Sequence, residues 1–397
     1  MALSHTVFPL KGVVQHYSWG GYDFIPQLLG IENRERKPFA EYWLGAHPNH
    51  PSQINGIGSF SELIHHQGAI CLGDKVYKKF HSLPYLLKVL DVRQMLSIQV
   101  HPDKIAAAKA FAEENAKGIP LTAPHRNYKD ENHKPELMVA LSDFWLLHGF
   151  KQEEVLMDTL QKVEALHVFI PMFENGRYRA LYEHAMKMEQ PEVNEILHTH
   201  LQEIIPLYEK GALSRSSEDF WAARAALNFC RNGNYDRGIF SIYFFNLLHL
   251  RKGEAVFQPA QMPHAYLEGQ NVEVMANSDN VLRAGLTDKH IDVAELLKHV
   301  EFRATRPNVI GKLEGAGAKN FSTPAEEFEL YQYCLEQGQK EDIDVKTAEI
   351  MMVVEGEVIL NELRVSKGEA VAVFPGSQVS VEAVTGTELF RVTVPGV

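Results

Sequence analysis

The sequence predicts a mainly β protein carrying one α-helical insert, with its strands closed into a jelly roll or small barrel. Three observations support this. Short apolar runs alternate with Gly, Pro and Asn punctuation over residues 1 to about 100 and again from about 240 onward. Between them, residues 151–232 change to a helical period. The run Lys252-Gly253-Glu254-Ala255-Val256-Phe257-Gln258-Pro259 returns as Lys367-Gly368-Glu369-Ala370-Val371-Ala372-Val373-Phe374-Pro375, so two related β modules are expected. Sheets of short, evenly spaced strands close their edges in such folds and leave an interior pocket.

In chain order, Trp19-Gly20-Gly21 and Gly45-Ala46-His47-Pro48-Asn49 punctuate short strands with one or two short helices among them. Pro84 to Leu90 reads as a buried strand interrupted by Lys88, either a side chain snorkelling to the edge or a substrate contact. In the extended stretch Leu96 to His101, Ser97, Gln99 and His101 share one face, and Leu96, Ile98 and Val100 the other. Gln99 and His101 offer two neutral ligands to a divalent ion, although an ordinary half-buried strand carries the same pattern. Pro102 ends this strand. Asp103 then caps a helix from Ile105 to Lys117, which Gly118 and Pro120 stop.

Tyr128 to Glu136 is dense in ionisable groups and runs directly into the apolar Leu137-Met138-Val139-Ala140-Leu141. Glu136, at that boundary, is a buried carboxylate paired with Lys or Arg, or a metal ligand. Four or five amphipathic helices follow as a satellite domain, and within them His198 and His200, two apart, read as surface histidines. His264 follows only the first copy of the repeat, so the C-terminal module is expected to lack a metal site. Gln99, His101, Glu136 and His264 together offer two imidazoles, an amide and a carboxylate, a set that leaves a divalent ion with open positions. Asp279, Arg283 and Lys289 either pair at the surface or, with Arg283 buried, require an anionic ligand.

The 397 residues, 45% hydrophobic and 23% charged, suit a globular chain of two or three domains. A formal net charge of -12 without a basic run argues against nucleic acid or an anionic membrane as partner. No apolar run reaches membrane-spanning length, and Met1-Ala2-Leu3-Ser4-His5 lacks the basic and apolar regions of an export signal. Cys71, Cys230 and Cys334 are scattered and odd in number, which fits a reducing cytoplasm and neither a disulfide framework nor a thiolate zinc site.

Three long motifs stand out: Gln99-Val100-His101-Pro102-Asp103-Lys104, Tyr128-x-Asp130-x-Asn132-His133-Lys134-Pro135-Glu136, and His264-Ala265-Tyr266-x-x-Gly269 through Glu273-x-Met275-Ala276-x-Ser278-Asp279-Asn280 to Arg283-Ala284-Gly285. They resemble the motifs of the type I mannose-6-phosphate isomerase family. Trp19-Gly20 and Glu41-x-Trp43-x-Gly45-x-His47-Pro48 extend the resemblance, which covers essentially the whole chain. One departure is Asp288 before Lys289, where members commonly carry Pro; it sets a carboxylate beside a candidate phosphate-binding Lys.

The resemblance implies a cupin-like jelly-roll catalytic domain over residues 1–150 and 233–315, a helical insert over 151–232, and a degenerate cupin-like module without a metal site over 316–397. It implies one zinc ion held by Gln99, His101, Glu136 and His264, an active-site role for Arg283, and aldose-ketose isomerisation between mannose 6-phosphate and fructose 6-phosphate. His133, Lys134, Glu273 and Asp279 are the candidates for moving the proton, and Ser97, Lys88, Lys134 and Lys289 for holding the phosphate. The expectation is a cytoplasmic, monomeric enzyme with a small-molecule sugar phosphate as its partner. Two other readings share the site. A cupin oxygenase would hold iron there, with Gln99 crowding an open position; a non-catalytic sugar-phosphate sensor would have no need of Arg283 or of the ionisable residues 133–136.

Overall fold

The computed structural model describes residues 7–396, so Met1 to His5, read above for an export signal, lie outside the described residues. Strand Glu41–Gly45 pairs with Tyr85–Val92, which pairs with the long strand His264–Ala276. The long strand pairs in turn with Glu136–Ala140, and that with Ala255–Gln258, all antiparallel. Successive side chains of a strand face opposite ways. Tyr42, Leu44, Leu87, Val89, Leu137, Val139, Val272 and Val274 therefore enter a hydrophobic core shared with the C-terminal module. Glu41, Trp43, Lys88, Glu136 and Glu273 alternate with them and face the barrel interior.

The long strand bends at a bulge between Tyr266 and Glu268 and passes into a second sheet, between Gln99–Val100 and Phe144–Phe150. A strand that changes sheets turns the corner of a jelly roll. Gly269, just past the bend, has φ +133°, and a Cβ there would lie 2.6 Å from the Phe144 ring, so only glycine fits. Across the second sheet Arg283, Gln99, His264 and His148 occupy one register row, and their side chains share a face. The mainly β barrel with a helical insert is thus the architecture found.

The expected strand from Leu96 to His101 forms a ladder only at Gln99–Val100, although Ile98 extends it by exchanging backbone hydrogen bonds with Ala284 and Gly285. The helix after it spans Lys104–Ala116, and Asp103 caps it by accepting from the Ala106 N–H at 2.8 Å. The insert forms helices Glu153–Lys162, Ile170–Lys187, Gln190–Glu209 and Glu218–Phe229, with a 3-10 turn over Glu164–Phe169. Leu156, Leu160, Tyr178, Leu181, Tyr182, Val193, Leu197, Leu201 and Ala223 are buried as the period predicts. Their core runs on into Leu147, Phe150, Ala265 and Leu267 of the barrel, so the insert packs directly on the second sheet. His200 is not a surface residue: its Nε2 lies 2.7 Å from the Tyr243 hydroxyl and 3.2 Å from Asp219, because the Glu218–Phe229 helix covers that side. No helix among the described residues is long and apolar enough to cross a membrane.

The sequence repeat is a structural one. Glu254 accepts from the Arg251 N–H at 2.7 Å, and Glu369 accepts from the Ser366 N–H at 2.7 Å, each turn having a glycine at positive φ. The strands that follow each face a carboxylate: Gln258 stands opposite Glu136, and Val373 opposite Glu349. Glu349 is fully buried and receives both Nε and Nη2 of Arg391, at 2.5 and 2.7 Å. A guanidinium therefore neutralises the carboxylate that corresponds to Glu136. Strand Val7–Lys11 pairs with Ala370–Val373, so the first described strand closes the sheet of the C-terminal module and not that of the barrel.

Candidate metal centre

His101, Glu136 and His264 are buried together, with their ligating atoms all within 4.8 Å of one another. Glu136 Oε1 lies 3.5 Å from His101 Nε2, and Oε2 lies 3.2 Å from His264 Nε2. The other ring nitrogens are fixed by carbonyls: His101 Nδ1 is 2.7 Å from Asn280 O, and His264 Nδ1 is 2.9 Å from Met262 O. A carbonyl only accepts, so each Nδ1 carries the hydrogen and each Nε2 presents a lone pair to Glu136. Despite the short distances, neither Nε2 has a hydrogen-bond partner among the described residues, since a lone pair cannot donate to a carboxylate. Leaving a buried acceptor unsatisfied costs about 1–3 kcal/mol. Two such atoms converging on one carboxylate fit a divalent cation. Gln99, half-buried and directly opposite His264, has no side-chain hydrogen bond among the described residues and can complete the set.

The second and third motifs are zipped together, and this orients His101. The Asn280 amide donates to Asp130 O and Asn132 O, both at 2.8 Å, and its side-chain oxygen accepts from Lys129 N at 2.7 Å. Asp130 accepts from Ser278 Oγ at 2.8 Å and Asp279 N at 2.7 Å. Asn280 is fully buried, and the same residue presents its carbonyl to His101. Sequence reasoning assigned no role to Asp130 or Asn280. Their density in short polar side chains beside core strands was the available signal.

Inside the barrel, Lys88 Nζ stands 3.1 Å from Glu41 and 3.8 Å from Glu273, over the Trp43 ring at 4.7 Å. Burial alone would lower the Lys88 pKa, but Glu41 and Glu273 outweigh it and hold the ammonium charged. Burial, and then the nearby Glu136 charge, push the Glu273 carboxyl up to about 7, and Tyr266 donates to it at 2.7 Å. Lys134 Nζ lies 3.2 Å from Glu136. Burial would raise Glu136, but the Lys134 ammonium outweighs it and holds the carboxyl well below the ordinary carboxylate range. Asp279 lies 3.1 Å from His47 Nε2, whose hydrogen bond outweighs burial and lowers the carboxyl.

The remaining candidates are placed differently. His133 turns to Glu327 of the C-terminal module, 2.8 Å away. Arg283 is half-buried beside Gln99, and Lys289 is exposed; among the described residues neither side chain has an ion-pair partner, and burial lowers both pKa values. Ser97 is half-buried with no side-chain hydrogen bond among the described residues. Glu41, Trp43, His47 and Tyr266 join the site although only the motif, and no assigned role, had marked them. A cavity of about 820 Å³ lined by Tyr22, Arg93, Arg224 and Glu268 shares no residue with this centre.

His148, next to His264 in the register row, gives a pH prediction for the metal-free protein. Burial lowers its pKa to about 4, against about 6.5 in an unfolded chain. The unfolded chain therefore binds the extra proton first, so His148 contributes its stability above about pH 6.5 and loses it as pH falls toward 4. Urea unfolding of wild type and His148→Gln at pH 7 and pH 4.5 is expected to show the wild-type advantage shrinking by up to about 3 kcal/mol. A pH-independent difference would refute the neutral buried imidazole.

A family model described as phosphomannose isomerase type I, catalytic domain, matches residues 7–153. The mannose-6-phosphate isomerase of Escherichia coli (strain K12) is 37% identical over 371 residues, which cover 90% of this chain and 92% of that protein. The solved apo structure of mannose 6-phosphate isomerase from Salmonella typhimurium matches with TM-score 0.83 at 34% identity, over 98% of this chain and 99% of that one. The structure of the Salmonella typhimurium enzyme bound to its substrate, fructose 6-phosphate, and zinc matches with TM-score 0.82 at 34% identity, over 98% and 100% of the two chains. Identity of this extent along nearly the full length of both proteins, on the same fold, means that the chain belongs to the type I phosphomannose isomerase family.

Proposed function

We propose that this chain is a zinc-dependent isomerase that interconverts mannose 6-phosphate and fructose 6-phosphate by proton transfer through a cis-enediolate. The observation that carries the reading is the pair of buried imidazole Nε2 atoms orphaned around Glu136. Gln99, His101, Glu136 and His264 would hold the ion, which supplies Lewis-acid polarisation of the sugar oxygens when bound. The relatives named mannose-6-phosphate isomerase, and the solved one bound to fructose 6-phosphate and zinc, support the same reading.

The reaction removes the C2 proton of the open-chain aldose, leaves an enediolate and returns a proton to C1. Arg283 carries a charge without a protein anion beside it, so it is available to stabilise the oxyanion. Lys88 is already committed to Glu41 and Glu273, which leaves Lys289 as the free ammonium for the phosphate, moderated by Asp288 next to it. Asp279, its side chain 43% exposed and backed by His47, is the candidate base; Glu273 is buried, bonded to Tyr266 and close to Lys88. Lys134 offsets the charge of Glu136. Three free cysteines fit a reducing, cytoplasmic setting.

Conversion of mannose 6-phosphate to fructose 6-phosphate by purified protein, before chelation, after it and with zinc restored, tests this. Turnover is expected to vanish and return. A metal-replete protein without turnover would overturn the reading.

A further inference from the structure

The C-terminal module has no counterpart of His264, yet it sends a buried carboxylate, Glu327, to the turn that leads into Glu136. Glu327 lies in the connection between strands Gly317–Phe321 and Glu329–Leu335 and is 1% exposed. It is flanked by Ala325 and Phe328, both buried in the core that joins the module to the barrel, so its backbone is anchored. Glu327 Oε1 accepts from His133 Nε2 at 2.8 Å and is 3.4 Å from Lys104 Nζ. Its Oε2 is buried without a hydrogen-bond partner among the described residues. A carboxylate kept so deep with one oxygen unsatisfied costs stability, so packing alone gives no reason for it.

The partner explains the placement. His133 is followed by Lys134, which touches Glu136, and then by Pro135, whose carbonyl accepts from Ala276 N at 3.1 Å. On the other side, Asn132 O is held by Asn280 and Ser278. Both flanks of this turn are thus tied to the third motif, while its tip reaches the C-terminal module through the His133 side chain. We propose that Glu327 is a positioning residue for the isomerase site: it holds His133, and through it the turn that sets Lys134 against Glu136. The C-terminal module then does more than cover the barrel; it supplies one strut of the site. This rests on the isomerase reading for its effect on turnover, but not for its effect on the turn.

The test uses the full-length, zinc-loaded protein with Glu327→Leu, Glu327→Gln, His133→Leu and Lys104→Met, plus Glu327→Leu combined with His133→Leu. Activity is expressed per bound zinc, and amide exchange is followed over residues 128–134. Glu327→Leu is expected to lower kcat about tenfold or more, as loss of supports behind metal ligands commonly does, with a smaller change in KM. Glu327→Gln keeps an acceptor for His133 at the same size and is expected to recover most of kcat. Lys104→Met, at a half-exposed ammonium, should leave kcat unchanged. The double variant should be no worse than the single ones, because residues acting through one contact are not additive.

Exchange over 128–134 should quicken in Glu327→Leu, and in Glu327→Gln to a lesser degree. Unchanged kcat per zinc in Glu327→Leu would overturn the proposal, as would fully additive losses in the double variant. Should Glu327→Leu fail to fold, unchanged exchange over 128–134 in His133→Leu, which removes the same contact, overturns it instead. Wild-type turnover is measured separately and reads only the isomerase assignment, since the exchange experiment reads the strut whether or not turnover is seen.

Discussion

Replacing Glu136 by Gln is expected to strip zinc from the protein and, with it, turnover of mannose 6-phosphate. Glu136 is the only carboxylate in the proposed ligand set, so the variant would leave a doubly charged ion among neutral ligands in a buried site. Lys134, 3.2 Å from Glu136, would lose its counter-charge at the same time and repel the ion. Breaking a buried charge pair by removing one partner costs about 3–5 kcal/mol. That corresponds to roughly a 10²–10⁴-fold loss of zinc affinity, enough to empty the site at ordinary metal concentrations. The folded state should survive, since both imidazole Nδ1 contacts and the strand pairing with Ala255–Gln258 are backbone matters. Metal content by elemental analysis and turnover at saturating substrate check this together. A Glu136→Gln protein retaining one zinc per chain and near wild-type turnover would sink the four-ligand assignment.

The second large effect separates stability from activity. Arg283→Met is expected to lower turnover by about 10²–10³-fold, the range for deleting one preorganised electrostatic contact. Zinc should be retained, because Arg283 neighbours Gln99 in register but is not itself a donor to the ion. The ligand-free variant should be at least as stable as wild type. Burial lowers the Arg283 pKa and, among the described residues, no carboxylate compensates it, so the guanidinium is held at a cost until an anion arrives. In one variant kcat therefore falls while metal content holds and stability against denaturant holds or rises. The stabilisation that fructose 6-phosphate confers on the wild-type protein should also shrink. Equal turnover in Arg283→Met and wild type, or loss of zinc with it, would remove Arg283 from the reaction.

Local patterns carried much of the fold. The helical rhythm of buried Leu and Tyr in the insert, the Asp103 cap and the Gly253 and Gly368 turns all depend on residues a few positions apart, and each was found where its pattern lay. The same local view misjudged His200, whose partners Asp219 and Tyr243 come from helices distant in the chain. It also assigned Lys88 by its neighbours in sequence, as a snorkelling side chain or a phosphate contact. The strand pairing sets Lys88 opposite both Trp43 and Glu273, at the centre of a buried charge cluster inside the barrel, which excludes only the snorkelling alternative. His133 shows the same limit, since its partner Glu327 is 194 residues away.

The sequence by itself determined the residue types that can bind a divalent ion, the alternation that points them inward, and the family to which they belong. Those properties are short-ranged or combinatorial, and they survive being read along a line. Only the tertiary structure decided which candidates meet. The bend at Tyr266 to Glu268 carries His264 into the second sheet, beside Gln99, while Glu273 stays in the first. The buried carbonyls of Asn280 and Met262 choose the imidazole tautomers. The Val7–Lys11 strand and Glu327 tie the C-terminal module to the rest. Each of these depends on a contact between distant segments, whose energy comes from excluding water at a place that no local pattern specifies.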